Sequence, residues 1–296
     1  MSVSGKHLGI VVAVDGSPAS NAAVCWAARD AALRGVQLTL MHAVVTPMAT
    51  WPPVPYPESI AIDLEDNGRR TVAHAVKIAQ EAVPADRNLP IAGELKFSTP
   101  VLALVKMSDD AEMIVVGSSG RGALARGILG SVSTSVVRHA HCPVAVIRDE
   151  DPLMPDPQHA PVLVGIDGSP ASELAAEIAF DQASRRGVDL LAVHAWSDVA
   201  VLDVWGLDWS AVEGEAERSL AESLAGYRER YPDVTVHRLV VRDRPANQLV
   251  EKSESAQLVV VGSHGRGGLA GMLGSVSNSV LHSVRMPLIV ARPPQT

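Results

Sequence analysis

Residues 10–20 read IVVAVDGSPAS, and residues 162–172 read VLVGIDGSPAS. Each is a short apolar run that breaks at Asp-Gly-Ser-Pro. An apolar run of this length bounded by a turn signal reads as a buried strand. Asp15 or Ser17 can cap the helix that follows, and Pro18 suits its first turn, where a missing N–H costs nothing. Beyond it Ala19, Ala22, Ala23, Trp26 and Ala27 recur at helical spacing and end near Arg34-Gly35. The unit is strand, turn, helix. The start LGIVVAV (8–14) also has the look of a secretory apolar core, but its internal copy at 162–166 favours a structural strand.

The alternation continues. It predicts a strand over 38–44, a Pro-rich connection over 47–57, a helix over 58–83, a strand over 91–97 and a short helix opened by Thr99-Pro100. A strand over 112–116, a glycine loop, a helix over 131–139 and a strand over 143–147 follow. The second half repeats the landmarks. LTLMHAV (38–44) returns as LLAVHAW (190–196), VVGSSGRG (115–122) as VVGSHGRG (260–267), LGSVS (129–133) at 273–277, and PVAVI (143–147) as PLIVA (287–291). Between the halves DEDPLMPDPQHAP (149–161) is acidic and proline-rich, which is linker composition. The chain is a tandem duplication, with domains expected at 1–148 and 161–296 and a linker at 149–160. Five strands alternating with helices, most of them apolar throughout, predict an α/β fold with a doubly wound parallel sheet in each half. The last strand of each half is apolar and is expected to be covered or paired.

Composition bounds the function. The chain has 296 residues, 47% hydrophobic and 20% charged, with a formal net charge of −8, so nucleic acid and anionic membrane surfaces are poor partners. The two cysteines, Cys25 and Cys142, make no disulfide framework and fit a reducing compartment. No apolar run approaches the ~20 residues of a membrane helix. A cytoplasmic protein without membrane insertion is expected.

The glycine-spaced stretches GSSGRGALARGILGSVSTS (117–135) and GSHGRGGLAGMLGSVSNS (262–279) carry the chemistry. Glycine lets backbone approach a ligand closely, and a Gly-Ser that opens a helix aims N–H groups at an anion. They read as a phosphate cradle, present twice. Neither is a Walker loop, since no Gly-Lys-Ser/Thr occurs, and there is no G-x-S-x-G elbow for a serine hydrolase. In open parallel sheets ligands sit beyond the strand carboxyl ends where the winding reverses. If strands one and four are neighbours, the Asp15 turn and the Gly117 loop meet there.

The spacing Gly117-x2-Gly120-x9-Gly130-Ser131, the strand ending in Asp15-Gly-Ser and the segment His42-Ala43-Val44 resemble the universal stress protein family. The resemblance covers both halves, like a tandem member of mycobacterial or actinobacterial type. It implies a Rossmann-like sheet order of 3-2-1-4-5 and an adenine nucleotide, ATP with Mg²⁺, in each half. Carried onto this sequence, Ala13 and Asp15 line the cleft, the backbone near Ala43 recognises adenine, and Val116 and Gly117 flank the nucleotide. Gly120, Gly130, Ser131, Val132 and Ser133 hold phosphates and ribose. The second set is Gly165, Asp167, Ala195, Val261, Gly262, Gly265, Gly274, Ser275, Val276 and Ser277. The resemblance also implies a homodimer, regulatory protein partners and a role in stress response or growth control.

Residue chemistry adds expectations of its own. Asp15 and Asp167 accept from ribose hydroxyls or share Mg²⁺, or else serve only as helix caps. Ser131 and Ser133 hydroxyls donate to phosphate oxygens, and a Cβ at Gly117, held at positive φ, intrudes on the ligand. Arg121, Arg126 and Arg266 either lean on phosphates or face water. His42 and His194 read as satisfied, partly buried histidines rather than catalysts. His139, His141 and Cys142 are close enough for a metal, but a helix end running into a strand explains them without one. The second loop has eight residues, not nine, between Gly265 and Gly274, and Gly267, Gly268 and Gly271 give it freedom to shorten. A weaker second site is expected. No catalytic set and no metal-ligand set is evident; a nucleotide-dependent regulator is the first reading, with a slow Mg-dependent ATPase or a dimerisation module stabilised by ATP as alternatives.

Overall fold

The computed structural model describes residues 7–45, 58–84, 87–120, 129–149, 159–195, 209–265 and 272–293. The chain divides into two compact units, Met1–Asp149 and Glu150–Pro293. The connection at 47–57, most of the expected linker and the tips of both glycine loops lie outside the described residues.

In the first unit the order is β1 (Ile10–Ala13), α1 (Pro18–Arg34), β2 (Leu38–Ala43), α2 (Glu58–Ala82), β3 (Ile91–Lys96), α3 (Pro100–Met107), β4 (Met113–Gly117), α4 (Ser131–His139) and β5 (Val144–Ile147). All pairings are parallel. β1 lies between β2 and β4, β3 lies outside β2 and β5 outside β4, which is the order 3-2-1-4-5. The winding therefore reverses between β1 and β4. β1, β4 and β5 are buried apolar runs, whereas β3, IAGELK, lies at the edge and is only half covered. Its Glu and Lys fit that position, since an edge strand needs no apolar outer face.

Local chemistry explains α1. Ser17, extended at φ −74° and ψ 160°, caps it, its hydroxyl accepting the Ser20 N–H at 3.2 Å, and Pro18 opens it. Gly35 closes it in the left-handed region at φ 69°, which an L side chain adopts only with strain. Its buried face is a seam of Ala19, Ala23, Ala27, Ala28 and Ala31. Such small side chains let the helix lie close against the sheet. At Gly117 the approach is close: a Cβ there would stand 2.7 Å from the Ala19 carbonyl carbon. Gly117 is not at positive φ, and its missing side chain makes room for α1 rather than for a ligand. The expected reason for this glycine is thus corrected.

The second unit holds β6 (Val162–Gly165), α5 (Pro170–Arg186), β7 (Leu190–Ala195), α6 (Trp209–Arg230), β8 (Val236–Val241), α7 (Pro245–Ser253), β9 (Leu258–Gly262), α8 (Ser275–Ser283) and β10 (Leu288–Ala291). Again every pairing is parallel; β6 lies between β7 and β9, with β8 outside β7 and β10 outside β9. Ser169 caps α5 as Ser17 caps α1. The packing above the sheet differs. Fully buried Phe180 stands where α1 has Ala28, and it stacks on Tyr227 of α6 at 5.4 Å and on Tyr231 at 5.8 Å. Burying such a ring contributes roughly 1.5–3 kcal/mol. Among the described residues no helix is long and apolar enough to cross a membrane.

Candidate functional site

The carboxyl ends of β1, β2 and β4 and the starts of α3 and α4 enclose a cleft of about 550 Å³. Ala13, Asp15, Ala43, Val116, Gly117, Gly120, Gly130, Ser131, Val132 and Ser133 all line it. The volume lies within the ~300–1,000 Å³ range of small-molecule sites.

Two turns meet at its floor. After β1, the Asp15 carboxylate accepts the Ser17 N–H through Oδ1 at 2.9 Å, and the Asp15 N–H donates to the Ser20 hydroxyl at 3.1 Å. Asp15 therefore holds the turn while Ser17 caps the helix, and its Oδ2 faces Gly120: a Cβ on Gly120 would stand 2.8 Å from that oxygen. After β4, the Ser118 N–H donates to the Ile147 carbonyl and the Gly130 N–H to the Ser118 carbonyl, both at 2.7 Å. These bonds pin both ends of the glycine loop.

α4 opens on the cleft without a side-chain cap, because its N-cap residue is Gly130. The first bond of the helix runs from the Thr134 N–H to the Gly130 carbonyl at 3.0 Å. The N–H groups of Ser131, Val132 and Ser133 have no partner within the helix, and they carry the positive end of its dipole. The exposed Ser131 hydroxyl stands at the mouth. Ser133 corrects the sequence expectation. Its buried hydroxyl donates to the Gly117 carbonyl at 2.6 Å, so its one proton ties α4 to β4 instead of reaching an anion.

The second unit repeats the construction in a cleft of about 390 Å³, lined by Gly165, Asp167, Ala195, Val261, Gly262, Gly265, Gly274, Ser275, Val276 and Ser277. Asp167 Oδ1 accepts the Ser169 N–H at 2.9 Å, and a Cβ on Gly265 would meet Asp167 Oδ2 at 2.6 Å. Gly274 leaves α8 without a side-chain cap, and the Ser277 hydroxyl donates to the Gly262 carbonyl at 2.6 Å. Beside Pro245, which also lines this cleft, the Gln248 side chain and then the Arg244 N–H hold the Asp243 carboxyl below its ordinary range. Arg121, Arg126, Arg266 and the shortened loop at 266–271 lie outside the described residues.

The remaining candidates find local partners. His42 Nδ1 donates to the Val14 carbonyl at 2.6 Å and His194 Nδ1 to the Ile166 carbonyl at 2.7 Å. His139 bonds the Ser135 carbonyl at 2.8 Å and His141 pairs with Asp109 at 2.6 Å. Cys142 is buried with its Sγ 3.5 Å from the Pro143 carbonyl. Among the described residues no group of three His, Cys, Asp or Glu side chains could hold a metal.

A family model described as "Universal stress protein family" matches residues 9–148 and 159–292. The chain belongs to the universal stress protein family. It is 67% identical over 293 residues to universal stress protein Rv2005c of Mycobacterium tuberculosis, covering 99% of each chain. It is 54% identical to universal stress protein Rv2623 of the same organism, again over 99% of each. Among solved structures, a universal stress protein from Archaeoglobus fulgidus superposes with a TM-score of 0.73 at 19% identity, covering 97% of this chain and 98% of that one, a likeness of fold. This chain is thus a tandem universal stress protein of mycobacterial type.

Within this universal stress protein, each cleft has further lining residues that are not among the expected site residues. Ser20, Met41, His42, Pro100, Ser119 and Leu129 line the first cleft, and Ser172, Val193, Pro245, Leu249 and His264 the second. Ser20 and Ser172 close the repeated DGSPAS, and Pro100 and Pro245 both open helices, so the internal repeat contains a signal for these four. Leu249 has none.

Proposed function

We propose that the protein binds ATP with Mg²⁺ in two clefts and works as a nucleotide-dependent regulator of stress response or growth, as a homodimer that engages regulatory partner proteins. The observation that carries this reading is the pair of uncapped helices. α1 and α5 are capped by their own serines, whereas α4 and α8, which open on the clefts, begin at glycine and leave their N–H groups to a ligand. A polyphosphate is the anion that such an end accepts. Ser131 and Ser275 add hydroxyl donors at the mouth.

Asp15 and Asp167 fit the rest of a nucleotide. A carboxylate beside phosphates is repulsive unless it accepts from ribose hydroxyls or shares a divalent cation, and both carboxylates line their clefts. Bound there, Mg²⁺ would offset phosphate charge. The sequence has no Gly-Lys-Ser/Thr lysine clamp, which favours holding a nucleotide over hydrolysing it.

The test is mild purification followed by nucleotide analysis, with calorimetric titration of ATP and Mg²⁺ into the stripped protein. Co-purified adenine nucleotide and saturable binding at two sites per chain are expected. Neither nucleotide nor heat of binding would overturn the reading.

A further inference from the structure

The two clefts share their phosphate-facing residues but not their opposite wall. Ala13 of β1 is replaced by Gly165 of β6, and the space of that methyl is taken by a side chain from α7. A Cβ on Gly165 would stand 3.0 Å from Leu249 Cδ1 and 3.3 Å from Cδ2. Both Leu249 and Leu104, its counterpart on α3, are buried, but only Leu249 lines its cleft. α7 also packs more extensively on β6 and β7 than α3 does on β1 and β2. The glycine lets the helix approach the sheet. The second cleft is about 390 Å³ where the first is about 550 Å³.

Leu249 stands beside Gly165 at the end of β6, while Gly262, Gly265, Gly274 and Ser275 repeat the first unit's glycine turn and helix start. We infer that Gly165 and Leu249 determine specificity in the second cleft, reducing the room for a purine, so that the two clefts of one chain select nucleotides by base size. This rests on the nucleotide reading above. The first cleft prefers ATP to UTP more strongly than the second does, and inorganic tripolyphosphate, which lacks a base, does not register the wall.

The experiment isolates each cleft in the full chain. Ser131→Asp and Ser275→Asp each place a carboxylate at one helix start, a position that suits the helix but repels phosphate. Titrations of ATP, UTP and tripolyphosphate then give a base preference for each cleft. The ATP-to-UTP affinity ratio is expected to be about tenfold lower in the second cleft than in the first. Leu249→Ala in the Ser131→Asp background raises that ratio, and Gly165→Ala, which restores the methyl that Ala13 carries in the wider cleft and moves Leu249 off the sheet, raises it too. Tripolyphosphate affinity stays constant in both, which excludes a general loss of folding. Equal ratios in the two clefts, or a ratio moved by neither substitution, overturns the inference while ATP binding stands. Absence of ATP binding in the parent chain overturns the nucleotide reading, and this inference with it.

Discussion

The Ser133 hydroxyl donates to the Gly117 carbonyl at 2.6 Å, joining the first turn of α4 to the last residue of β4. Ser277 and Gly262 repeat the bond at the same distance. The serine of the glycine motif therefore fixes the helix start relative to the sheet, and the N–H groups beside it point where the strand ends.

Ser133→Ala leaves the partly buried Gly117 carbonyl without this donor. A loss of about 1–3 kcal/mol is expected with no ligand present, read as a lower midpoint in urea. Unchanged stability with weakened ATP binding would return Ser133 to the role of phosphate donor. Ser277→Ala tests the same bond in the second unit.

Gly117→Ala and Ser131→Asp should part company. The methyl at Gly117 meets the Ala19 backbone at 2.7 Å, where no flexible side chain can yield, so α1 must shift. A stability loss of about 1–3 kcal/mol is expected, with nucleotide binding lost only as the unit loosens. Ser131 is exposed, and Ser131→Asp should keep the melting temperature while abolishing ATP binding at the first cleft. Calorimetry beside thermal unfolding distinguishes the two.

His42 and His194 each face a backbone carbonyl through Nδ1, and a carbonyl only accepts. Both rings should be neutral tautomers with the proton on Nδ1, visible in long-range ¹H–¹⁵N correlation spectra at neutral pH. Spectra with the proton on Nε2 would contradict the geometry.

Tyr227 predicts alkaline behaviour. Burial first, then the Glu177 and Glu173 carboxylates, hold its phenol above the ordinary value of 10.0, against the opposing charge of Arg230. A folded value above the unfolded one gives a contribution complete below pH 10.0 and lost as pH rises through the folded value. Unfolding titrations should show stability falling above that pH, and Tyr227→Phe should remove that part of the fall. The substitution also deletes the bond from the Tyr227 hydroxyl to the Glu173 carbonyl at 3.0 Å, worth about 1 kcal/mol or less at this partly exposed position.

Much of this was legible in the sequence because the deciding interactions are local. Ser17, Pro18 and Gly35 start and stop α1 within a turn of themselves, and the duplicated motifs mark the residues that border each cleft. What escaped depends on tertiary neighbours. Nothing near Ser133 in the chain shows that its proton is spent on Gly117, sixteen residues earlier. Glycine spacing marks close approach at Gly117, but whether helix or ligand approaches is decided by α1. Leu249 is one apolar residue on a short helix, and only the missing methyl at Gly165 brings it to the cleft.

The stack of Phe180 on Tyr227 and Tyr231 makes the halves vulnerable in different ways. Above β1 the helix layer rests on many methyl groups, each contributing little, so damage there accumulates by degrees. Above β6 a buried ring joins α5 to the end of α6, beside the bond from the Tyr227 hydroxyl and the Arg230–Glu177 ion pair. Replacing Phe180 by a small residue takes from both Tyr227 and Tyr231 the ring on which they stack, a loss felt at three positions from one change.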